Sequence, residues 1–201
     1  MLIGKSNARN LGFTVIELVV TLALFGVLLA LGIPAFTTFI QNTQIKNAAD
    51  NVLNGLTIAR AEAIHRNAPV RFQLVSNMTA TCEISSTSAS WIVSLDDAAG
   101  QCEIAPSETT APRIIQKYAQ QESSPRVTIN ATGGGMVIFT GLGRVSGAGT
   151  TQIDFAHANS VCEHVNAAGT SRCLRLLIGS GGGTKLCDPK VSSTTDPRHC
   201  S

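Results

Sequence analysis

Residues 12–36 read GFTVIELVVTLALFGVLLALGIPAF and form the most apolar stretch of the chain. Glu17 is the only ionisable side chain between residues 13 and 45, and residues 18–36 form a run of 19 residues without a charge. A helix needs about 20 predominantly apolar residues to cross the hydrocarbon core of a bilayer. We therefore predict that residues 13–36 form a transmembrane helix.

The residues that flank this stretch predict its orientation. The first 12 residues contain Lys5 and Arg9 and no acidic residue, and positive residues ahead of a transmembrane helix stay in the cytoplasm. The six cysteines all lie beyond the helix, from Cys82 to Cys200, without a C-x-x-C pair. An even number with such spacing predicts disulfides, which persist in oxidising compartments such as a periplasm. We therefore expect a single-pass protein of the bacterial inner membrane with its C-terminal domain in the periplasm.

The carboxylate of Glu17 is unusual in this setting. A charged side chain on a membrane helix costs about 2.5–3.5 kcal/mol at the centre of the bilayer on insertion scales, and such residues usually mark function. A carboxylate near the lipid headgroups could be tolerated without any role. However, no residue within the apolar helix offers Glu17 a positive partner. We therefore expect the partner to come from outside the helix.

Residues 12–18 (GFTVIEL) resemble the signature of type IV prepilins, in which a short basic leader ends in Gly, Phe becomes the first residue and Glu the fifth. The resemblance extends to Pro34, where the helix of this family usually kinks. It implies that a prepilin peptidase removes residues 1–12 by cutting between Gly12 and Phe13, and that it N-methylates Phe13. It also implies that the new amine pairs with Glu17 of a neighbouring subunit during assembly.

A helical pattern continues beyond Pro34. Apolar residues recur at steps of four and three, which is typical of a helix packed on a core, at Ile45, Ala49, Val52, Leu56, Ala59 and Ala63. Pro69, which cannot continue a helix, ends the pattern. We predict one helix from about Thr14 to Arg66, kinked at Pro34, with its second half (37–66) packed on a domain. Gly55, a poor helix former, is explained by close packing against a strand.

Residues 70–201 predict a β-rich region. Seven short runs have strand composition and are separated by turn residues: residues 70–74, 91–95, 126–130, 135–140, 151–155, 172–178 and 184–187. Residues 99–113 predict a surface loop. A helix followed only by short strands predicts an α+β fold with an antiparallel sheet. The resemblance implies the same architecture, a type IV pilin-like fold in which residues 37–201 form a periplasmic domain.

The region beyond Arg60 resembles a narrower group, the GspH/FimT (FimT/FimU-like) minor pilins and pseudopilins. The matching segments are residues 59–63 (ARAEA), 67–70 (NAPV), 91–96 (WIVSLD), 139–144 (FTGLGR) and 186–189 (LCDP). This resemblance implies a structural subunit near the filament tip that helps to start or cap assembly. The implied partners are other pilins or pseudopilins along the N-terminal helix, the inner-membrane assembly platform, and membrane lipid before assembly.

Two kinds of filament are compatible with this resemblance, a type IV pilus and a type II secretion pseudopilus. The cysteine-rich C-terminal region resembles the FimT-like and FimU-like members more than the secretion members. We therefore favour the pilus and keep the secretion pseudopilus as the alternative.

The six cysteines permit fifteen pairings, and the sequence does not decide among them. A pairing of Cys173 with Cys187 is open, because these residues lie symmetrically about Ser180 and could face each other across a hairpin. We favour a Cys187–Cys200 pair, because it would fix the polar tail of the chain, and closing such a loop is typically worth about 2–4 kcal/mol. The favoured set joins nearest neighbours, Cys82–Cys102, Cys162–Cys173 and Cys187–Cys200.

No stretch of the sequence predicts catalysis, a cofactor or a metal site. Asp96 and Asp97 could suggest calcium or an acid–base pair, but the further ligands of a calcium loop do not follow, so a turn after a strand is favoured. The glycine run 179–183 lacks the G-K-[ST] of a phosphate-binding loop. A zinc site is not favoured, because the paired C-x-x-C spacing of such sites is missing and thiols outside the cytosol tend to oxidise. The side chains considered for it are Cys162, His164, Cys173 and Cys187.

DNA binding is the strongest alternative hypothesis from a different class of function. The net charge of +2 argues against a strongly electrostatic surface overall, but residues 172–201 carry five cations against two acids, and the candidate DNA-binding residues are Arg172, Arg175, Lys185 and Lys190. Some FimT-type relatives take up DNA through a G-R-x-R hairpin. The corresponding residues 182–185 read GGTK, so the first Arg is lost and the second is Lys. Phosphate affinity depends on the number of cations, so we favour a solvated basic face.

Overall fold

The computed structural model describes residues 13–122, 124–147 and 149–200, with residues 31–35 described by their backbone only. The chain divides into two compact units, Met1–Phe39 and Ile40–Ser201. The predicted leader, residues 1–12, lies outside the described residues, as does Gly12 on the amino side of the predicted cut.

Helix α1, Val15–Arg66, agrees closely with the predicted helix. Its C-terminus is a Schellman motif, in which the N–H of Asn67 bonds the carbonyl of Ile64 and the N–H of Ala68 bonds that of Ala63, both at 3.2 Å. Asn67 adopts the left-handed conformation that this motif needs, with a φ of 48°, and asparagine tolerates it better than most residues. Pro69 then prevents continuation.

No helix within the described residues has a stretch that is both long and apolar enough to cross a membrane. The predicted transmembrane segment, residues 13–36, contains the five residues whose side chains are not described. Pro34 is one of these five, and the predicted kink at this residue stays a prediction.

Within the described residues, eight strands form two antiparallel four-stranded sheets rather than the single sheet that we expected. The first sheet has the order β3-β2-β1-β5, with β1 Val70–Val75, β2 Ser90–Ser94, β3 Ile114–Tyr118 and β5 Met136–Phe139. The second has the order β4-β6-β7-β8, with β4 Val127–Ala131, β6 Gln152–His157, β7 Leu174–Ile178 and β8 Thr184–Cys187. Two 3-10 helices, Gln120–Glu122 and Thr132–Gly135, precede β4 and β5.

A glycine turn moves the chain from the second sheet to the first. Gly133, Gly134 and Gly135 all have positive φ angles, between 74° and 86°, which other residues rarely adopt. A Cβ on Gly135 would lie 2.2 Å from the carbonyl oxygen of Ser85. The turn is therefore restricted to glycine, and it explains why β4 and β5, neighbours in sequence, pair in different sheets.

Strand β3 is an element that the sequence did not predict. Its pairing with β2 shifts register between Val93 and Ser94, so the alternation expected of a regular strand is broken. Ile114 packs in a small cluster with the Cys82–Cys102 region, whereas Ile115 packs against the main core. Two consecutive apolar residues thus both find apolar surroundings, which a pattern of period two does not reveal.

The main core forms where the second part of α1 meets the sheets. All six predicted core positions of α1 are at most 1% exposed, which confirms the helical periodicity. Gly55 allows the closest approach, because a Cβ there would lie 2.7 Å from the ring of Phe72 and 2.9 Å from that of Trp91. This confirms the prediction of close packing at Gly55. Trp91 also stacks on Tyr118, with ring centroids 5.9 Å apart.

Three disulfides join nearest neighbours along the chain, which is the favoured set. They are Cys82–Cys102, Cys162–Cys173 and Cys187–Cys200. The alternative pairing of Cys173 with Cys187 does not occur.

Candidate functional site

The first turn of α1 places Glu17 at a capped helix N-terminus. The N–H of Glu17 donates to the Thr14 hydroxyl at 3.3 Å, and the N–H of Leu18 donates to the Thr14 carbonyl at 3.1 Å. Thr14 is therefore the N-cap and Glu17 the third helical residue, which is the spacing of a capping box. The role of Thr14 was missed from the sequence, although the T-x-x-E pattern was there to indicate it.

The Glu17 side chain is exposed, and its carboxylate makes no hydrogen bond or ion pair with any other described residue. A negative charge in the first helical turn is favoured by the partial positive charge of the helix N-terminus. This arrangement leaves the carboxylate oxygens available to an external cation. The structure places Phe13 four residues before Glu17, with its side chain 79% exposed.

Large apolar side chains in the first unit are exposed rather than packed. The exposed set is Phe13, Val15, Ile16, Leu18, Val19, Val20, Leu22, Leu24, Phe25, Val27, Leu28, Leu29, Phe36 and Phe39. A helix that is apolar on all sides is stable only when it is covered on all sides, and an exposed patch of this size marks an interaction surface. Cover by lipid or by neighbouring helices is what this segment requires.

Most of the candidate DNA-binding cations are ion-paired. Arg175 donates two hydrogen bonds to Asp154, at 2.6 and 3.2 Å. Arg172 donates to Asp188 at 2.9 Å, and that carboxylate is buried. Lys190 pairs with Glu163. The sequence predicted these cations as a basic face, but it could not show that acids from distant positions compensate them.

Arg60 ties two loops to α1, and its role was not predicted. Its Nε donates to the carbonyl oxygen of Gly143 at 3.1 Å, and its Nη2 to that of Gly181 at 3.4 Å. The two loops touch each other, since a Cβ on Gly182 would lie 1.9 Å from the Gly143 oxygen. The turn of the β7–β8 hairpin, with residues 182–185 reading GGTK, is packed against the loop that follows β5.

Replacing Arg60 by Met should keep the packing of the side-chain stem and remove both hydrogen bonds. We expect the free energy of unfolding to fall by about 2 kcal/mol, since hydrogen bonds from charged groups contribute about 1.5–3 kcal/mol. For a chain of this size the thermal midpoint should fall by about 4–8 °C. Emission from Trp91, the single tryptophan, reports unfolding of the globular unit.

Arg144→Met is the matched control, because the Arg144 side chain is exposed and bonds to no other described residue. The control should leave the midpoint unchanged. An equal loss of stability in both variants would contradict the role of the two Arg60 hydrogen bonds.

His157 joins the end of β6 to α1. Its Nε2 lies 3.2 Å from Oε1 of Gln44, and its Nδ1 accepts the N–H of Asn159 at 3.2 Å. Because Nδ1 is an acceptor, Nε2 carries the proton and the ring is neutral. Burial of the ring is the main cause that lowers the pKa of His157 below its ordinary 6.5, and the nearby positive charge of Arg126 is the second cause.

This lowered pKa predicts a pH dependence of stability. The unfolded chain binds a proton at His157 more readily than the folded chain, so stability is complete above about pH 6.5 and falls as the pH drops through the folded pKa. Midpoints from Trp91 emission should decrease between pH 7.5 and 5.5, a window above the titration of the carboxyl groups. His157→Gln should flatten this decrease, and an unchanged slope would contradict the assignment.

The cysteines and aspartates considered as metal ligands have other partners. The three cysteines of the imagined zinc set are all in disulfides, and within the described residues no group of side chains could hold a metal ion. Hydrogen bonds from Arg113, at 2.6 and 2.7 Å, lower the pKa of the Asp96 carboxyl. The Ala99 N–H and the Gln73 amide lower the pKa of Asp97. Both aspartates stabilise the turn after β2.

The long helix and the two antiparallel sheets define an α+β protein of the type IV pilin-like class, as the sequence predicted. The family model described as Type II transport protein GspH matches residues 48–182, and the model of the prokaryotic N-terminal methylation motif matches residues 7–33. The chain belongs to the GspH family. This confirms the resemblance to the GspH/FimT group.

Two crystal structures of the type IV minor pilin FimU of Pseudomonas aeruginosa are similar to this chain at 14% identity. One covers 70% of this chain and 90% of its own, with a TM-score of 0.42. The other covers 74% and 91%, with a TM-score of 0.41. No curated protein matches the sequence.

Proposed function

We propose that this chain is a minor pilin or pseudopilin, cut between Gly12 and Phe13, that helps to initiate or cap a type IV pilus-type filament. Before assembly, residues 13–36 hold it in the bacterial inner membrane, with the second unit in the periplasm. Its role is structural rather than enzymatic. Its partners are a prepilin peptidase, the inner-membrane assembly platform and the N-terminal helices of neighbouring pilins.

The observation that carries this proposal is the methylation motif at residues 7–33 together with an unpaired Glu17. Cleavage after Gly12 creates an amine at Phe13, four residues from a carboxylate that has no partner among the described residues. Neither charge is easily left unpaired in lipid. Pairing the amine with Glu17 of a neighbouring subunit satisfies both charges and sets the axial register between subunits.

The exposed apolar surface of the first unit supports the membrane assignment, because lipid and neighbouring helices are the two environments that cover such a helix. Three disulfides support a periplasmic location for the second unit, since disulfides persist in oxidising compartments.

A type II secretion pseudopilus is the second candidate, and the observation that favours it is the description of the matching family as a type II transport protein. A pilus is favoured by the cysteine-rich C-terminal region, because this region resembles the FimT-like and FimU-like members more than the secretion members. Deleting the gene separates the two: loss of surface pili with normal protein secretion supports the pilus, and the reverse supports the pseudopilus.

DNA binding receives less support. Arg172, Arg175 and Lys190 pair with carboxylates of the same chain, so a phosphate would have to compete with these acids. A gel shift of the full chain in detergent at low salt tests this function, and binding there would restore it.

Mass spectrometry of the protein isolated from membranes tests the main proposal. The expected N-terminus is N-methylated Phe13. An intact leader, or a first residue other than Phe13, would refute the proposal.

A further inference from the structure

We propose that the second unit binds the carboxyl-terminal residue of a partner protein in a cavity beside the last residue of α1. The carboxylate of the peptide binds Arg66, and an apolar side chain of the same residue enters the cavity. The loop of residues 99–113 forms one side of this space, which we call the loop cavity. The inference does not depend on the proposed role in a filament.

The loop cavity is small and largely apolar. Its volume is about 270 Å³. Leu95 and Ile115, which also pack against the main core, line one side, and Pro106 of the loop lines another. Pockets that enclose whole small molecules or cofactors have volumes of about 300–1,000 Å³. The loop cavity is therefore sized for a single side chain rather than for a cofactor.

The loop is held in place before any ligand arrives. The Cys82–Cys102 disulfide anchors its beginning, and the N–H of Ser107 donates to the Ile114 carbonyl at 2.9 Å. The ammonium of Lys117 donates to three consecutive backbone carbonyls, at 2.9–3.1 Å, those of Cys102, Glu103 and Ile104. A preformed site loses less conformational freedom on binding, which favours affinity.

Arg113 lines the loop cavity in an unusual backbone conformation. Its φ is 53°, in the left-handed region that residues other than glycine rarely adopt. Its Nε and Nη2 donate to Asp96 at 2.7 and 2.6 Å, which fixes the guanidinium at the cavity wall. Strained residues that are held in this way cluster at binding sites. The strain at Arg113 is thus a second observation that points to a ligand here.

Arg66 offers the cavity an exchangeable cation. Its Nε donates to Glu62 at 2.7 Å, one helical turn earlier, and this bond orients the guanidinium. Its Nη2 donates to Glu108 at 3.1 Å, and the Glu108 side chain is 81% exposed. Exposed ion pairs contribute little to stability. Glu108 therefore occupies the position of a ligand carboxylate and can be replaced by one at small cost.

The position of the carboxylate beside an apolar cavity selects a chain terminus. In an extended peptide, successive side chains point to opposite faces. An internal Asp or Glu on Arg66 would therefore direct its apolar neighbours away from the cavity. A carboxyl-terminal residue carries its carboxylate and its side chain on one Cα, so it can place both on the same side. The occupant is thus a carboxyl-terminal residue with an apolar side chain.

A dye-labelled peptide, GSAAL with a free carboxyl end, tests the site by fluorescence polarisation with the full chain in detergent. We expect saturable binding. The same peptide with an amidated end should bind about tenfold more weakly or worse, because it lacks the charge-assisted hydrogen bonds to Arg66. Amidated GSLDA, in which the carboxylate is an internal Asp beside Leu, should bind as weakly as amidated GSAAL.

Two variants of one ion pair should change the affinity for GSAAL in opposite directions. Arg66→Met should weaken binding by about tenfold or more. Glu108→Gln should tighten binding by about twofold to fivefold, because it removes the carboxylate that the peptide has to displace. Arg144→Met is the control and should leave the affinity unchanged, since Arg144 does not line the loop cavity.

The opposite signs separate binding from a loss of structure, since both variants remove the same pair. No binding of GSAAL, or equal binding of its acid and its amide, would overturn the proposal. Weaker binding by Glu108→Gln would overturn the exchange of carboxylates on Arg66. Binding of amidated GSLDA as tight as that of GSAAL would overturn the assignment to a carboxyl terminus.

Discussion

Glu17→Gln is expected to leave cleavage at Phe13 intact and to remove the chain from filaments. The variant keeps the size of the side chain and its place in the first turn, but a neutral amide cannot compensate the amine of a neighbouring Phe13. An unpaired charge in a membrane-like environment costs about 2.5–3.5 kcal/mol, or roughly a hundredfold in each contact. Immunoblots of sheared filaments and of membranes measure the distribution.

Thr21→Val is the matched control, since the Thr21 hydroxyl donates only to the Leu18 carbonyl of its own helix, at 2.9 Å. This variant should assemble normally. Mass spectrometry of the membrane fraction separates a defect in assembly from a defect in processing. Normal incorporation of Glu17→Gln would contradict the electrostatic role of Glu17.

Gly55→Leu is expected to cause the largest loss of stability. The added Cβ alone would lie 2.7 Å from the ring of Phe72 and 2.9 Å from that of Trp91. Overpacking of a core typically costs about 1–3 kcal/mol and occasionally more, and we expect a value at the upper end because two aromatic rings must move. The thermal midpoint from Trp91 emission should fall by about 6–12 °C.

Asn54→Leu, one residue earlier on the exposed face of α1, is the control for this substitution. It adds the same side chain to the same helix without entering the core. Equal midpoints for the two variants would show that Gly55 is not a packing requirement.

The sequence predicted the features that depend on local patterns. The apolar spacing from Ile45 to Ala63 identified the buried face of α1, and Pro69 its end, because both follow from helix geometry alone. The lone Glu17 in an apolar run and the six cysteines likewise led to the prediction of a membrane helix followed by a periplasmic domain. Close packing of Gly55 against a strand followed from the low helix propensity of glycine.

Features that depend on distant parts of the chain were not predicted. Strand β3 has consecutive isoleucines that face different clusters, and the turn at Gly133–Gly135 separates two sheets where one was expected. The role of Arg60 could not be predicted, because its two carbonyl partners lie in loops that are distant in sequence. The cations of the C-terminal region were read as a basic face because the acids that pair with them lie 16–27 residues away in sequence.

The three disulfides span only 20, 11 and 13 residues, and each encloses a loop or a single strand. None ties α1 to a sheet, and none links one sheet to the other. The packing of Trp91 against Gly55 therefore depends on no covalent link between α1 and the sheets, although Cys173 itself lies in the main core. Reduction should loosen the loops that the Cys82–Cys102 and Cys187–Cys200 disulfides close before it affects the helix–sheet interface, because neither of these disulfides belongs to the main core.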